Sequence, residues 1–155
     1  MPWSDDQKAA YIAAFIDGEG WVVFRHNPKR SHKERQIGFT NTDKVLFQRV
    51  CQLLSDLGFD LAVRYVEHAN PKHAPRYNAT IIGGFAAFKK FSDLIPLQHP
   101  GKVERLAAML SSYVFNSNGT VARGMAAALP ERKILVLDAA RRVHQERAAE
   151  RKRAL

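Results

Sequence analysis

The sequence predicts an α+β architecture: one four-stranded antiparallel sheet backed by helices, in the order αββαββα with further helices after it. Three observations predict it. Two pairs of β-forming runs alternate with amphipathic helical stripes. Clusters of Gly, Pro and Asn separate these segments. Within each strand pair the apolar residues alternate, which commits one sheet face to a core and leaves the other polar.

The elements follow in order. Ser4, with Gln7 three residues on, suits a capping box, and Asp5 and Asp6 suit the positive end of a helix running from about Asp5 to Gly18. Its bulky face is Ile12, Phe15 and Ile16. A second face, Ala10, Ala13, Ala14 and Asp17, is almost free of bulk and admits a second backbone at close range. Gly18 and Gly20 are expected to stop the helix through the left-handed cap conformation. Trp21 to Asn27 and Glu34 to Asn41 read as a hairpin around a basic loop. Thr42 is the expected cap of a helix from Asp43 to Leu57, whose stripe is Leu46, Phe47, Val50, Leu53, Leu54 and Leu57. Phe59 to His68 and Arg76 to Ile82 are the next strands, separated by the proline-containing loop from Ala69 to Pro75. Gly83 and Gly84 break the last strand, and a helix through Phe85, Phe88 and Phe91 stops before Pro96. A fourth helix is expected from Lys102 to about Phe115, with Val103, Leu106, Leu110 and Tyr113 inward. A last one should start at Pro130 and end in a strongly basic stretch, Arg141 to Leu155. Residues 1–155 read as one domain, with a core at about 4–115 and a helical extension at about 116–155.

Composition narrows the function. The net charge of +9 points to a polyanionic partner, nucleic acid above all, although a merely basic soluble protein would show it too. Cys51 is the single cysteine, so there is no disulfide framework, and it reads as a small buried hydrophobe. No apolar run approaches the ~18 residues of a membrane span, and the acidic start carries no signal or transit pattern. The expected place of work is intracellular, in a prokaryotic cytoplasm or an organelle that encodes the protein.

The most informative stretch is Ile12 to Gly20, IAAFIDGEG. Glu19 sits at the negative end of a helix dipole, where a cation would be favoured and an acid has little structural use. A bound divalent cation reverses that preference; a plain glycine-rich helix stop is the alternative. The stretch resembles the LAGLIDADG motif of homing endonucleases. It keeps the apolar, small and acidic positions in order, with Ala at 14 for Gly, Gly at 18 for Ala and Glu at 19 for Asp. The αββαββα order is similar to the fold of the single-motif members, so the resemblance covers nearly the whole chain. There is one copy of the motif, which implies a homodimer joined through the small face of helix 1: Ala10, Ala13, Ala14 and Asp17.

Alternation places Val23, Arg25, Asn27 and Lys29 of the first strand on the outward sheet face. Glu34, Gln36, Gly38 and Thr40 of the second join them, as do Arg64, Val66 and His68 of the third and Arg76, Asn78 and Thr80 of the fourth. Arg, Asn, Gln and Thr are the groups that read base edges in a major groove; a solvated sheet face is the plainer reading. A strand of ~8–9 residues spans about 28 Å, or roughly eight base pairs, so a dimer would read about 18–22 base pairs.

The resemblance implies a Mg²⁺-dependent double-strand break in a near-palindromic DNA site, with short 3′ overhangs. Mn²⁺ would substitute, and Ca²⁺ would support binding without cutting. By position in the motif, Glu19 is the metal-binding acid and the carbonyl of Gly18 assists it. Asp43 corresponds to a polar residue of the metal's water network, and equally suits a charge at a helix N-terminus. Lys102 corresponds to a basic residue near the scissile phosphate, and equally suits a solvent lysine. An arginine that some relatives carry in helix 2 has Arg49 as its only candidate here. The same resemblance allows a second class: a non-cleaving RNA maturase that binds intron RNA, or a DNA-binding regulator.

Overall fold

Local signals set the first helix. The Ser4 hydroxyl accepts from the Gln7 amide at 3.3 Å and the Gln7 side chain accepts from the Ser4 amide at 2.9 Å, a complete capping box. In the computed structural model, which describes residues 2–26, 33–66 and 74–122, this helix, α1, runs over Asp5–Glu19. It is followed by β1 (Gly20–His26), β2 (Lys33–Asn41), α2 (Lys44–Asp56), β3 (Asp60–Val66), β4 (Arg76–Ile82), α3 (Gly84–Leu94) and α4 (Pro100–Ser111). The predicted αββαββα order is therefore correct. The strands form one antiparallel sheet in the order β1-β2-β4-β3. The expected helix at Pro130 and its basic end lie outside the described residues.

The helices cover one face of this sheet. From α1, Ile12 and Ile16 are fully buried against Val22, Ile37 and Phe39; α2 contributes Phe47, Val50 and Leu54, and α3 and α4 contribute Phe88, Phe91, Leu106 and Met109. A chain of aromatic contacts crosses the core: Phe15 on Phe39, Phe39 on Phe47, Phe47 on Tyr77, with centroids 5.4, 5.3 and 5.5 Å apart. The buried members, Phe39 and Phe47, each contribute about 1.5–3 kcal/mol by burial. Gly83 and Gly84, with φ of +121° and +63°, make the turn from β4 into α3, as their position after the strand predicts.

Several expectations need correction. α1 extends through Glu19, and neither Gly18 nor Gly20 has a positive φ; Gly20 is an extended cap. Glycine is needed at 20 for a different reason, since a Cβ there would come within 2.8 Å of the Ile16 backbone. The cap of α2 is Asp43, not Thr42: its Oδ1 accepts from Val45 and Leu46 at 2.8 and 3.0 Å, while the Asn41 side chain accepts from the Asp43 amide. Phe59 precedes β3 and packs in the core. α4 starts two residues early, at Pro100, and turns Lys102, Leu106 and Met109 inward, leaving Val103 exposed. Val63 and Tyr65 share the helix-facing side of β3 by register but remain 46% and 47% exposed. Cys51 is half-buried, and burial pushes its thiol up to about 11, so it stays protonated at neutral pH. Among the described residues no helix is long and apolar enough to cross a membrane.

Candidate active site and nucleic-acid face

The last turn of α1 carries no basic residue of its own, so its final carbonyls need a cation from elsewhere. Lys102 supplies it. The residue is only 9% exposed, and its Nζ donates to the carbonyls of Ile16 at 2.6 Å and Asp17 at 2.8 Å. The partnership runs both ways. The Asp17 carboxylate accepts from the amides of Gln98 at 2.7 Å and His99 at 3.2 Å, at the start of α4, whose N-cap His99 offers no side-chain cap. Each helix thus satisfies orphan groups of the other. Burial lowers the Lys102 pKa; Asp17 opposes this, Arg105 adds to it, and Glu19 opposes it more weakly.

This latch fixes the residues just beyond it. Glu19 is exposed and has no hydrogen-bond or ion-pair partner among the described residues. Gly18 beside it is exposed, and a Cβ there would meet nothing within 4 Å. An unpaired carboxylate next to open backbone suits a hard cation, which takes oxygen ligands. Among the described residues no group of three or more His, Cys, Asp or Glu could enclose a metal. Asp43 is exposed and spends one carboxylate oxygen on capping α2, leaving the other for solvent. Arg49 does not join the tip: its guanidinium lies over the ring of Trp3, at the opposite end of α1. Arg105, which was not among the residues expected here, donates to the carbonyl of Val22 in β1 at 3.3 Å, three residues beyond Glu19. A signal for it was present, since it lies one turn after Lys102 on the same helix.

The sheet register fixes which side chains share a face. Val23 pairs with Gln36 and Arg25 with Glu34; Gly38 pairs with Thr80 and Thr40 with Asn78; Arg64 pairs with Asn78 and Val66 with Arg76. Directly paired residues share a face, so every described residue of the predicted set lies on one side, away from the helices. Asn27, Lys29 and His68 lie outside the described residues. Arg25 and Glu34 form an ion pair at 2.8 Å, and the Gln36 amide donates to the other oxygen of Glu34 at 3.1 Å. The Thr40 hydroxyl donates to the side-chain amide oxygen of Asn78. One more residue belongs to this face, although its sequence signal was only that of a strand former. Trp21 pairs with Gly38, and its indole lies over the glycine so closely that a Cβ there would come within 2.8 Å of the ring. The same Cβ would clash with the Ala79 carbonyl, so Gly38 serves close packing and not base contact through a side chain.

The small face of α1 is narrower than its sequence suggests. Ala13 is 4% exposed and belongs to the core, and Asp17 is engaged with α4; Ala10, Ala14 and Gly18, four residues apart, form the exposed stripe. A helix wheel of small residues gives no bulk signal to say which of them turns inward.

The chain matches the family profile described as a LAGLIDADG-like domain over residues 6–96. The match includes α1, its tip, the sheet and α2, and ends before α4. No curated protein matches the chain.

Proposed function

The chain belongs to the LAGLIDADG family, and from that premise we propose that it is a homodimeric, Mg²⁺-dependent homing endonuclease that cuts both strands of a long, near-palindromic DNA site and leaves short 3′ overhangs. The observation that carries the reading is Glu19: an exposed carboxylate with no protein partner among the described residues, at the tip of α1, beside a sheet face of polar and basic residues. A protein that only bound nucleic acid would gain nothing from an acid set against phosphate.

In the proposed dimer, α1 meets its twin along Ala10, Ala14 and Gly18, which brings two Glu19 carboxylates together near the two-fold axis. Glu19 and the carbonyl of Gly18 would hold the cation. Bound there, a divalent ion would supply a more acidic water and charge stabilisation for the leaving 3′ oxygen. The free oxygen of Asp43 orients water, and Lys102 keeps the tip rigid by holding the carbonyls of Ile16 and Asp17. The sheet enters the major groove, where Arg25, Gln36, Arg64, Arg76 and Asn78 contact bases or phosphates. Mn²⁺ substitutes for Mg²⁺, and Ca²⁺ supports binding alone.

A non-cleaving RNA maturase or DNA-binding regulator on the same fold is the competing reading. Gel-shift competition between a randomised duplex DNA pool and a structured intron RNA separates the maturase from the nuclease, and incubation of the bound duplex with Mg²⁺ separates the regulator, which would leave it uncut. For the nuclease, duplex DNA should displace RNA; preferential retention of RNA would favour the maturase.

A further inference from the structure

A second cation stands close to the one that holds the α1 carbonyls: Arg105 lies one turn beyond Lys102 and adds to the lowering of its pKa by burial. Lys102 itself is not free for a ligand: its ammonium is buried, and it donates to two backbone carbonyls. Arg49 is occupied at the far end of α1. Arg105 is placed differently. It is exposed, on α4 one turn beyond Lys102. Its Nε donates to the Gly101 carbonyl at 2.9 Å and its Nη1 to the Val22 carbonyl at 3.3 Å. β1 is an edge strand, and Val22 is three residues from Glu19, at most about 10 Å along the chain. Two bonds to backbone therefore hold the guanidinium at the edge of the strand that leads out of the tip, without neutralising it. No carboxylate pairs with it among the described residues, and of its five N–H donors Nη2 keeps both and Nη1 keeps one without an acceptor.

We propose that Arg105 contacts the DNA phosphate at the cut, using the outward edge of a guanidinium that Gly101 and Val22 hold in place. The inference rests on the endonuclease reading and adds a residue that lies beyond the 6–96 family match. A pre-positioned guanidinium suits this task, since its fork matches two phosphate oxygens and loses little freedom on binding. As the water oxygen bonds to phosphorus and gives up its proton to solvent, and the bond to the 3′ oxygen breaks with that oxygen taking a proton from solvent, charge grows on the non-bridging oxygens that Arg105 would contact.

The test uses the full chain and a duplex recovered by binding from a randomised library. Binding in Ca²⁺ is measured across a salt series, and single-turnover cutting is measured in Mg²⁺. Arg105→Ala is expected to reduce the salt slope of the binding constant by about 0.9 per protomer, and to slow cutting about a hundredfold or more. Arg105→Lys should keep the salt slope and recover only part of the rate. A neutral methylphosphonate placed at each central phosphate in turn should weaken the wild type several-fold at the cut position and leave Arg105→Ala unaffected there. Thermal melts establish that each variant is folded; if Arg105→Ala is not, Arg105→Gln and Arg105→Lys carry the comparison. A folded variant with unchanged slope and rate overturns the assignment, as does a slope change with no coupling to the cut phosphate. If the wild type binds without cutting while the slope and central coupling still change, the phosphate contact stands and the nuclease reading falls. If the wild type binds no duplex, both fall.

Discussion

Glu19→Gln is expected to abolish cutting while leaving the dimer on DNA. The substitution keeps the shape of the side chain and removes its charge. Since Glu19 has no partner among the described residues, nothing in the fold is lost, and the melting temperature should move by no more than the scatter typical of surface changes. The rate in Mg²⁺ should fall by roughly three orders of magnitude or more, as expected when the group holding a catalytic ion is removed. Binding without metal should hold or tighten, because a carboxylate no longer faces phosphate. Single-turnover assays beside anisotropy titrations in EDTA make the comparison. Cutting at the wild-type rate would remove Glu19 from the mechanism.

Ala14→Glu is expected to split the dimer. Ala14 is exposed in the single chain and sits at the middle of the Ala10, Ala14 and Gly18 stripe, so the monomer has no reason to unfold. In a two-fold contact the new carboxylate meets its own copy, and burying two unpaired like charges costs several kcal/mol, at least about a thousandfold in dissociation constant. Sedimentation velocity should show a monomer with unchanged circular dichroism, and double-strand cutting should be lost with it. Ala13→Glu makes the contrast: Ala13 is in the core, and this change should unfold the chain. A dimer that survives Ala14→Glu would place the contact elsewhere.

Much of this was legible in the sequence because local rules and the global fold agree. The Ser4–Gln7 box starts α1 where its spacing says, and strand alternation alone assigned faces that match the register of the sheet. The failures have a common physical source in contacts between distant elements. No pattern within α4 announces that a lysine will turn inward; Lys102 does so because α1, some eighty residues earlier, ends without a cation of its own. That rotation also exposes Val103, which periodicity placed inside. Asp17 looked like part of the small face of α1, but the start of α4 claims it. Asp43 displaced Thr42 as cap because Asn41 holds its amide and fixes the entry to α2. Val63 and Tyr65 follow the inward alternation of β3, but the helices do not fully cover them. Trp21 carried no signal beyond β propensity, because its partner Gly38 is found only through the register.

The measurement that bears most directly on the central claim is a selection for cut molecules from a randomised duplex library, run with Mg²⁺ and in parallel with Ca²⁺. The expected result is one near-palindromic site of about 20 base pairs, cut on both strands with Mg²⁺ and bound but intact with Ca²⁺. Enrichment of bound sequences that are never cut with Mg²⁺ or Mn²⁺ would contradict it, and would make the protein a LAGLIDADG-fold binder.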